Sequence, residues 1–516
     1  MIKKILFTQL CSVALVAAAT GPALSDRASD TVVWSTSNEI NSADIYYQNM
    51  REVVIAAHSA CDTLMHRDPL SGEYLPLLAE SYEWVDDTTL EFKLREGVNF
   101  HDGSAFTAAD VAYTFAHASN PDHGVVTQLV VDWIDRMEVI DDHTVRIHAK
   151  RPTPAAINYL SGVTPIYPDG HYDDAPEVPG ADGTTRRDWG AVTPVCTGPY
   201  RITAFEPGGE LVMERNDDYF EGGPKGKPEI GRLVFRTISD TETQIAELVT
   251  GGVDWLWGVP PENAQMLAGM GNVTVQSAPT TRISFLSLDA AGRSGDTPMT
   301  DVRVRRALAH AIDAEAIATS LVGEGSERLV SICDPSQFGC STDVPTYEYD
   351  PERARELLAE AGHADGFTIP IYAYRDRPFT EAVMGYLSEV GVEAELRYLQ
   401  WPALRPLLHD GSVELAHLSW GSQGMLDASA SVSHYFKHGP DDYALDDSVR
   451  ELLEEADSVT DAERRRELYD RALTAIAEEA YFVPLFSYGR TYAFNADLDI
   501  PVTPDELAHF YLARWK

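Results

Sequence analysis

Apolar and polar positions alternate with period two in several short stretches and with a helical period in others. Leu90, Phe92 and Leu94 are separated by polar residues, which predicts a half-buried strand. Thr107, with Asp110 three positions on, predicts a helix start, and Val111 and Phe115 then share one helix face. Leu233 and Phe235 mark another strand, and 244–249 reads as a helix stopped by Gly251 and Gly252. Asp350 and Pro351 supply a cap followed by proline in the first turn. Ala354, Leu357, Leu358 and Ala361 form the buried stripe of that helix, and Gly362 ends it. Strands are expected over 367–374 and 394–399, and a helix capped by Asp461 with Leu468, Ala472 and Ile476 turned inward. Mixed strands and helices without a repeat period predict an α/β fold with helices layered on sheets. The stretch 165–194 is rich in Pro, Gly and Asp and lacks periodicity, so it reads as a surface excursion or linker.

The N-terminus changes the compartment. Lys3 and Lys4 precede an apolar run over 5–19 that Thr8, Gln9 and Ser12 interrupt; Gly21 and Pro22 break it, and Ala23-Leu24-Ser25 follows. This is the layout of a secretory signal peptide over 1–25, with cleavage expected after Ser25. The run is too short for a bilayer span, which takes about 20 apolar residues. Cys11 lies inside the run, which argues against a lipid anchor, and the mature chain is expected to be periplasmic and not membrane-embedded. A chain of 516 residues exceeds what one core holds and predicts two or more lobes. A formal charge of −41 excludes nucleic acid and anionic lipid as natural partners and otherwise reads as a solvated acidic surface.

Four cysteines remain after cleavage. Cys333 and Cys340 enclose the short loop CDPSQFGC and predict a disulfide in an oxidising compartment; Cys61 and Cys196 pair only by elimination. Metal-binding spacings are absent, and His434 and His438 read as surface residues, so neither metal nor cofactor is expected. The chain contains no HExxH, no G-x-S-x-G, no Walker loop and no G-x-G-x-x-G, and nothing in it argues positively for an enzyme.

Several separated segments resemble one family. PLLAESYEWVDDTTLEFKLREGVNFHDGSAFTAADVAYTF at 76–115 is followed in order by CTGPY at 196–200, NDDYFEGGP at 216–224 and GGVDW at 251–255. DVRVRRALAHAID at 301–313 and YDPERARELLAEAG at 349–362 complete the series. Together they resemble the extracytoplasmic solute-binding proteins of family 5, which serve ABC importers of peptides, nickel, opines and oligosaccharides; that family usually has glycine where this chain has Cys196. The motifs make sense as scaffold. Gly103 of FHDG permits a tight turn, and the arginines of VRVRRALAHAID are expected to face solvent or the other lobe. The resemblance implies a two-lobed periplasmic-binding-protein clamshell, type II-like, with an extra subdomain in the first lobe. It allots 26–66, 197–285 and 490–516 to lobe 1, 67–196 to the extra subdomain and 286–489 to lobe 2, with a hinge at the crossings.

The resemblance also locates a ligand. Trp420 opens WGSQGMLD, and peptide binders of the family carry, three residues after this tryptophan, an aspartate that pairs with the peptide's amino terminus. Here Gln423 stands there, and Asp427 would substitute only through a rearranged loop. Burying an unpaired ammonium against an amide is costly, so an ordinary peptide is in doubt and a peptide-like, zwitterionic or oligosaccharide solute remains open. Trp255, Trp257, Trp401, Tyr435 and Phe436 are aromatic candidates for the pocket. Arg282, Arg375 and Arg377 are candidates to hold a carboxylate by paired hydrogen bonds. The expected partners are a small-molecule solute and an inner-membrane ABC permease, with the protein acting as a monomer. A periplasmic hydrolase on the same fold and a ligand sensor for a membrane receptor are the alternatives.

Overall fold

The structure, a computed structural model, describes residues 29–179, 184–421 and 425–516. The expected signal peptide and Gln423 lie outside the described residues. Ten strands form one mixed sheet that runs through both lobes in the spatial order Tyr200–Phe205, Glu210–Arg215, Arg232–Thr237, Thr31–Thr36, Trp255–Trp257, Phe482–Asn495, Val273–Leu288, Leu415–Trp420, Phe367–Ala373, Val392–Tyr398. Val273–Leu288 and Phe482–Asn495 are the two long crossing strands. They pair antiparallel from Val273↔Asn495 to Pro279↔Gly489, lose register, and resume from Ile283↔Ser487 to Ser287↔Phe482. Their first section belongs to the sheet of the first lobe and their second to that of the second lobe; the break at 280–282 lies at the junction.

Strand direction matters on either side of this break. In the first lobe Thr31–Thr36 is parallel to Arg232–Thr237 and Trp255–Trp257. In the second, Phe367–Ala373 is parallel to Val392–Tyr398 and Leu415–Trp420. The registers Trp257↔Tyr492 and Ile283↔Trp420 turn the carboxyl ends of both sets toward the crossing. Open α/β sheets bind ligands at such carboxyl ends.

A separate antiparallel sheet, ordered Ala79–Asp86, Thr89–Leu94, Thr144–Ala149, Ile134–Asp141, builds the extra subdomain. Helix Ala108–Ala118 covers it and begins with the expected capping box between Thr107 and Asp110. Helix Thr241–Thr250 ends on left-handed Gly251, and helix Pro351–Glu360 starts where the Asp350 side chain accepts from the Arg353 amide. Cys61–Cys196 and Cys333–Cys340 are both bonded, with Cα separations of 4.8 and 5.8 Å. Beside the first bridge Gly198 presses on the Ala60 carbonyl, where a Cβ would not fit.

Two sequence expectations change. Arg305 does not face solvent: it is 3% exposed and its guanidinium donates to the carbonyls of Met299 and Glu479. The motif does not show this because the deciding partner, the Glu479 carbonyl, lies 174 positions away. Nor is 165–194 only a surface excursion. The Tyr167 and Tyr172 hydroxyls donate to buried Asp44 at 3.0 and 2.6 Å. Burial raises the Asp44 pKa to about 6, with those hydrogen bonds opposing it.

Candidate functional site

Four arginines gather where the lobes meet, each delivered by a different element. Arg282 lies at the break in one crossing strand, Arg490 lies in the other, and Arg51 opens helix Arg51–Ala60. Three of them share one carboxylate. Glu506 takes Arg51 Nη2 at 2.8 Å, Arg490 Nη2 at 3.1 Å and Arg282 Nε at 3.5 Å. Burial works against the Glu506 charge, but the three guanidiniums outweigh it and hold the carboxyl at about 2. Arg375, just past Phe367–Ala373, pairs with Asp376 at 3.1 Å and donates to Ser419 Oγ at 3.2 Å. Burial lowers the Arg282 pKa, Glu506 resists this, and the neighbouring charges of Arg375, Arg51 and Arg490 lower it further. Four guanidiniums thus face two carboxylates, a local cationic excess on a chain of net charge −41.

Unused hydrogen-bonding capacity surrounds this hub. The Arg490 guanidinium lies 4.9 Å above the Trp257 ring. Trp257 Nε1 and the hydroxyl of Tyr492, paired to it across the strands, are buried and reach no hydrogen-bond partner among the described residues. Buried polar groups without partners are uncommon in folded chains, and ligand sites are one place they occur. A narrow cavity of about 40 Å³ lies between the lobes next to the hub; Val54, His58, Asn158, Asp505 and Met425 are among its walls.

The aromatic and arginine candidates separate into groups. Trp257, Arg282 and Arg375 stand at the crossing. Trp420 ends its strand there; its Nε1 donates to the Ala430 carbonyl at 2.6 Å, and its ring stacks on His434 at 4.3 Å. The next residue, Gly421, has Arg282 where a Cβ would stand. Trp401 is 38% exposed at the rim and packs on Tyr374. The others are placed elsewhere. Arg377 is exposed and pairs with Glu381 one helical turn on. Trp255 packs on Trp34, Tyr492 and Phe510 in the core of the first lobe. Tyr435 and Phe436 are buried with Phe482 in the core of the second. Asp427 is buried against Arg465, which reaches both of its oxygens at 3.1–3.2 Å.

Arg51, Arg490 and Glu506 were not singled out from the sequence. Their segments carry no motif, and Arg51 lies 455 positions from the Glu506 carboxylate it meets, so no local pattern signals the hub. No group of three or more His, Cys, Asp or Glu among the described residues is arranged to hold a metal ion. No helix among them is long and apolar enough to cross a membrane.

Comparison with known proteins follows the same lines. The family model for bacterial extracellular solute-binding proteins, family 5 (middle), matches residues 73–443. A glutathione-binding protein GsiB of Pectobacterium atrosepticum is 30% identical over 328 residues, 62% of this chain and 60% of that protein. The GsiB of Salmonella typhimurium is 27% identical over 425 residues, 79% of this chain and 80% of the relative. The first alignment therefore spans less than two thirds of its relative. Among solved structures, the periplasmic binding protein DppA of Helicobacter pylori in complex with the peptide STSA superposes with TM-score 0.78 at 22% identity, covering 94% of this chain and 98% of that one. NikA of Brucella suis in complex with Fe(III)-EDTA gives 0.79 at 22%, covering 94% and 100%.

Proposed function

The chain belongs to the bacterial extracellular solute-binding proteins of family 5, and from that premise we propose that it is the exported receptor of an ABC importer for a small carboxylate-bearing solute. The observation that carries the solute class is the hub: Arg51, Arg282, Arg375 and Arg490 outnumber Glu506 and Asp376 where the two lobes meet. Guanidinium forks match carboxylates in shape as well as charge. The relatives named for glutathione support this reading, since glutathione carries two carboxylates and one ammonium. The uncharged Gln423 and the occupied Asp427 leave the loop after Trp420 little to offer an ammonium, so the arginines dominate recognition. Trp420, stacked on His434, is the aromatic wall of the same site. The signal peptide, the periplasmic location, delivery to a permease and the monomeric state belong to this proposal. Binding without chemistry is part of it too, and solute recovered unaltered after incubation separates it from a hydrolase.

Calorimetric titration tests the reading. Glutathione is expected to bind and the neutral trisaccharide maltotriose is not. Arg282→Ala and Arg490→Met should each weaken glutathione by roughly ten- to several-hundredfold, as for a lost charged hydrogen-bonding group. Trp420→Ala should cost about 1–3 kcal/mol of binding, the worth of one large contact. Equal affinity for both solutes, or arginine variants that bind like the parent, would remove the hub from the site.

A further inference from the structure

The interlobe cavity has walls from three parts of the chain, and Met425 is its wall from the second lobe. Met425 is 6% exposed and packs with the core of the first lobe, beside Val54, Val130 and Leu507. Its chain neighbours Ala428 and Val432 turn the other way, into the core of the second lobe. One short segment therefore joins two cores. The His58 imidazole and the Asn158 side-chain amide line the same narrow cavity and make no hydrogen bond to a described residue, so the space that Met425 closes has polar walls.

The Met425 segment is braced from behind by the loop that the Cys333–Cys340 bridge closes. Gln337 Nε2 donates to the Met425 carbonyl at 2.9 Å, the Phe338 amide donates to the Leu426 carbonyl at 2.9 Å, and the Ala428 amide donates to the Phe338 carbonyl at 2.9 Å. Arg465, which clamps Asp427, lies 4.7 Å over the Phe338 ring. On the far side, Leu426 lies against Gly72 at the tip of the hairpin Met65–Arg67/Tyr74–Pro76. A flexible thioether suits a socket that must be entered and left, because methionine adapts to irregular apolar surroundings.

We propose that Met425 is the knob by which the second lobe seats on the first, closing over the narrow cavity lined by His58 and Asn158, and that the disulfide-closed loop 333–340 keeps this knob aimed. The proposal rests on the reading that the lobes close over a solute. It adds a residue that sets the closed population.

Interlobe distances in the protein as purified test it, with spin labels at Met266→Cys and Tyr349→Cys, two exposed positions of the first and second lobes. Met425→Ala should move the distance distribution toward the longer, open form, changing the closed-to-open ratio by about tenfold or more, as expected when a buried methionine is truncated. Met425→Leu, similar in volume, should keep the parent distribution, which shows that a change in Met425→Ala is not general misfolding. Cys333→Ser with Cys340→Ser should shift it in the same direction. A Met425→Ala distribution that superimposes on the parent would overturn the knob, and an unchanged double-serine variant would overturn the role of the loop. Solute affinity is read by titration and closure by distance, so failure of the arginine reading and failure of this one are separately visible.

Discussion

Glu506 carries a left-handed backbone, φ +62°, and a carboxylate shared by three guanidiniums. A non-glycine residue held there costs roughly 1–3 kcal/mol, which the hub's contacts must offset. Its folded pKa of about 2 lies below the ordinary 4.5, so the stabilisation is complete above about pH 4.5 and disappears as pH falls toward 2. The size is on the order of 3 kcal/mol. Glu506→Gln should therefore lower the midpoint of thermal unfolding at pH 7 and flatten its decline between pH 4.5 and 2; parallel pH curves for the two proteins would contradict this. Asp427 makes the complementary case. Its Arg465 partner is buried, with a 7% exposed side chain, so Asp427→Asn should cost about 3 kcal/mol or more by leaving an uncompensated charge. Asp427→Leu with Arg465→Met should recover most of that in a urea titration, and no recovery would mean that the pair contributes more than charge balance. The sequence offered Asp427 as a solute ligand because it follows Trp420 closely. Nothing local announces that Arg465, 38 positions later, claims both of its oxygens.

At the scale of elements the reading from pattern was strongest where one segment decides its own structure. Helix Pro351–Glu360 has its cap, its proline and its stripe of Ala354, Leu357 and Leu358 within ten residues, and all are found as expected. Strands Thr89–Leu94 and Phe367–Ala373 lie where the sequence places them, but the first is not half-buried: its polar Glu91 is buried too, paired with Lys93 and Arg146. Pattern says little about Trp255 and Trp257, two positions apart on one strand: the first packs on Trp34 and Phe510, the second lies under Arg490. The two share one face of the strand, and how far the core extends along that face depends on the neighbouring strands, which come from residues 31–36 and 482–495. The bridges differ in the same way. Cys333–Cys340 spans 7 positions and Cys61–Cys196 spans 135. On the chain-entropy model the short loop contributes about 2.5 kcal/mol and the long one about 5 kcal/mol. Replacing both cysteines of the long bridge by serine should therefore lower stability more than the same change in the short one. Equal losses in denaturant titrations of the two double variants would show that native packing, not loop closure, sets the cost.

For the whole molecule, the two-lobed fold is legible in ordered family motifs and half of the hub, Arg282 and Arg375, in the sequence beside them, while Arg51, Arg490 and Glu506 come from segments near the two ends of the chain that carry no motif. The first cleavage product is a further expectation at this scale: the mature protein should begin at Asp26, since Ala23 and Ser25 suit a signal peptidase. Intact-mass measurement of exported material decides it, and a mass corresponding to the whole chain would refute cleavage. The threading of the sheet has one more consequence. Trp255–Trp257 needs Phe482–Asn495 beside it, and Trp34 packs on Phe510. The first part of the chain to be synthesised is thus completed by the last. During biosynthesis the 476 residues that follow Trp34, up to Phe510, must emerge before the core around Trp34 can close. The first lobe of a chain built this way stays unfinished until translation is nearly over, which would suit the export proposed above, because a narrow channel passes an open chain and not a folded lobe.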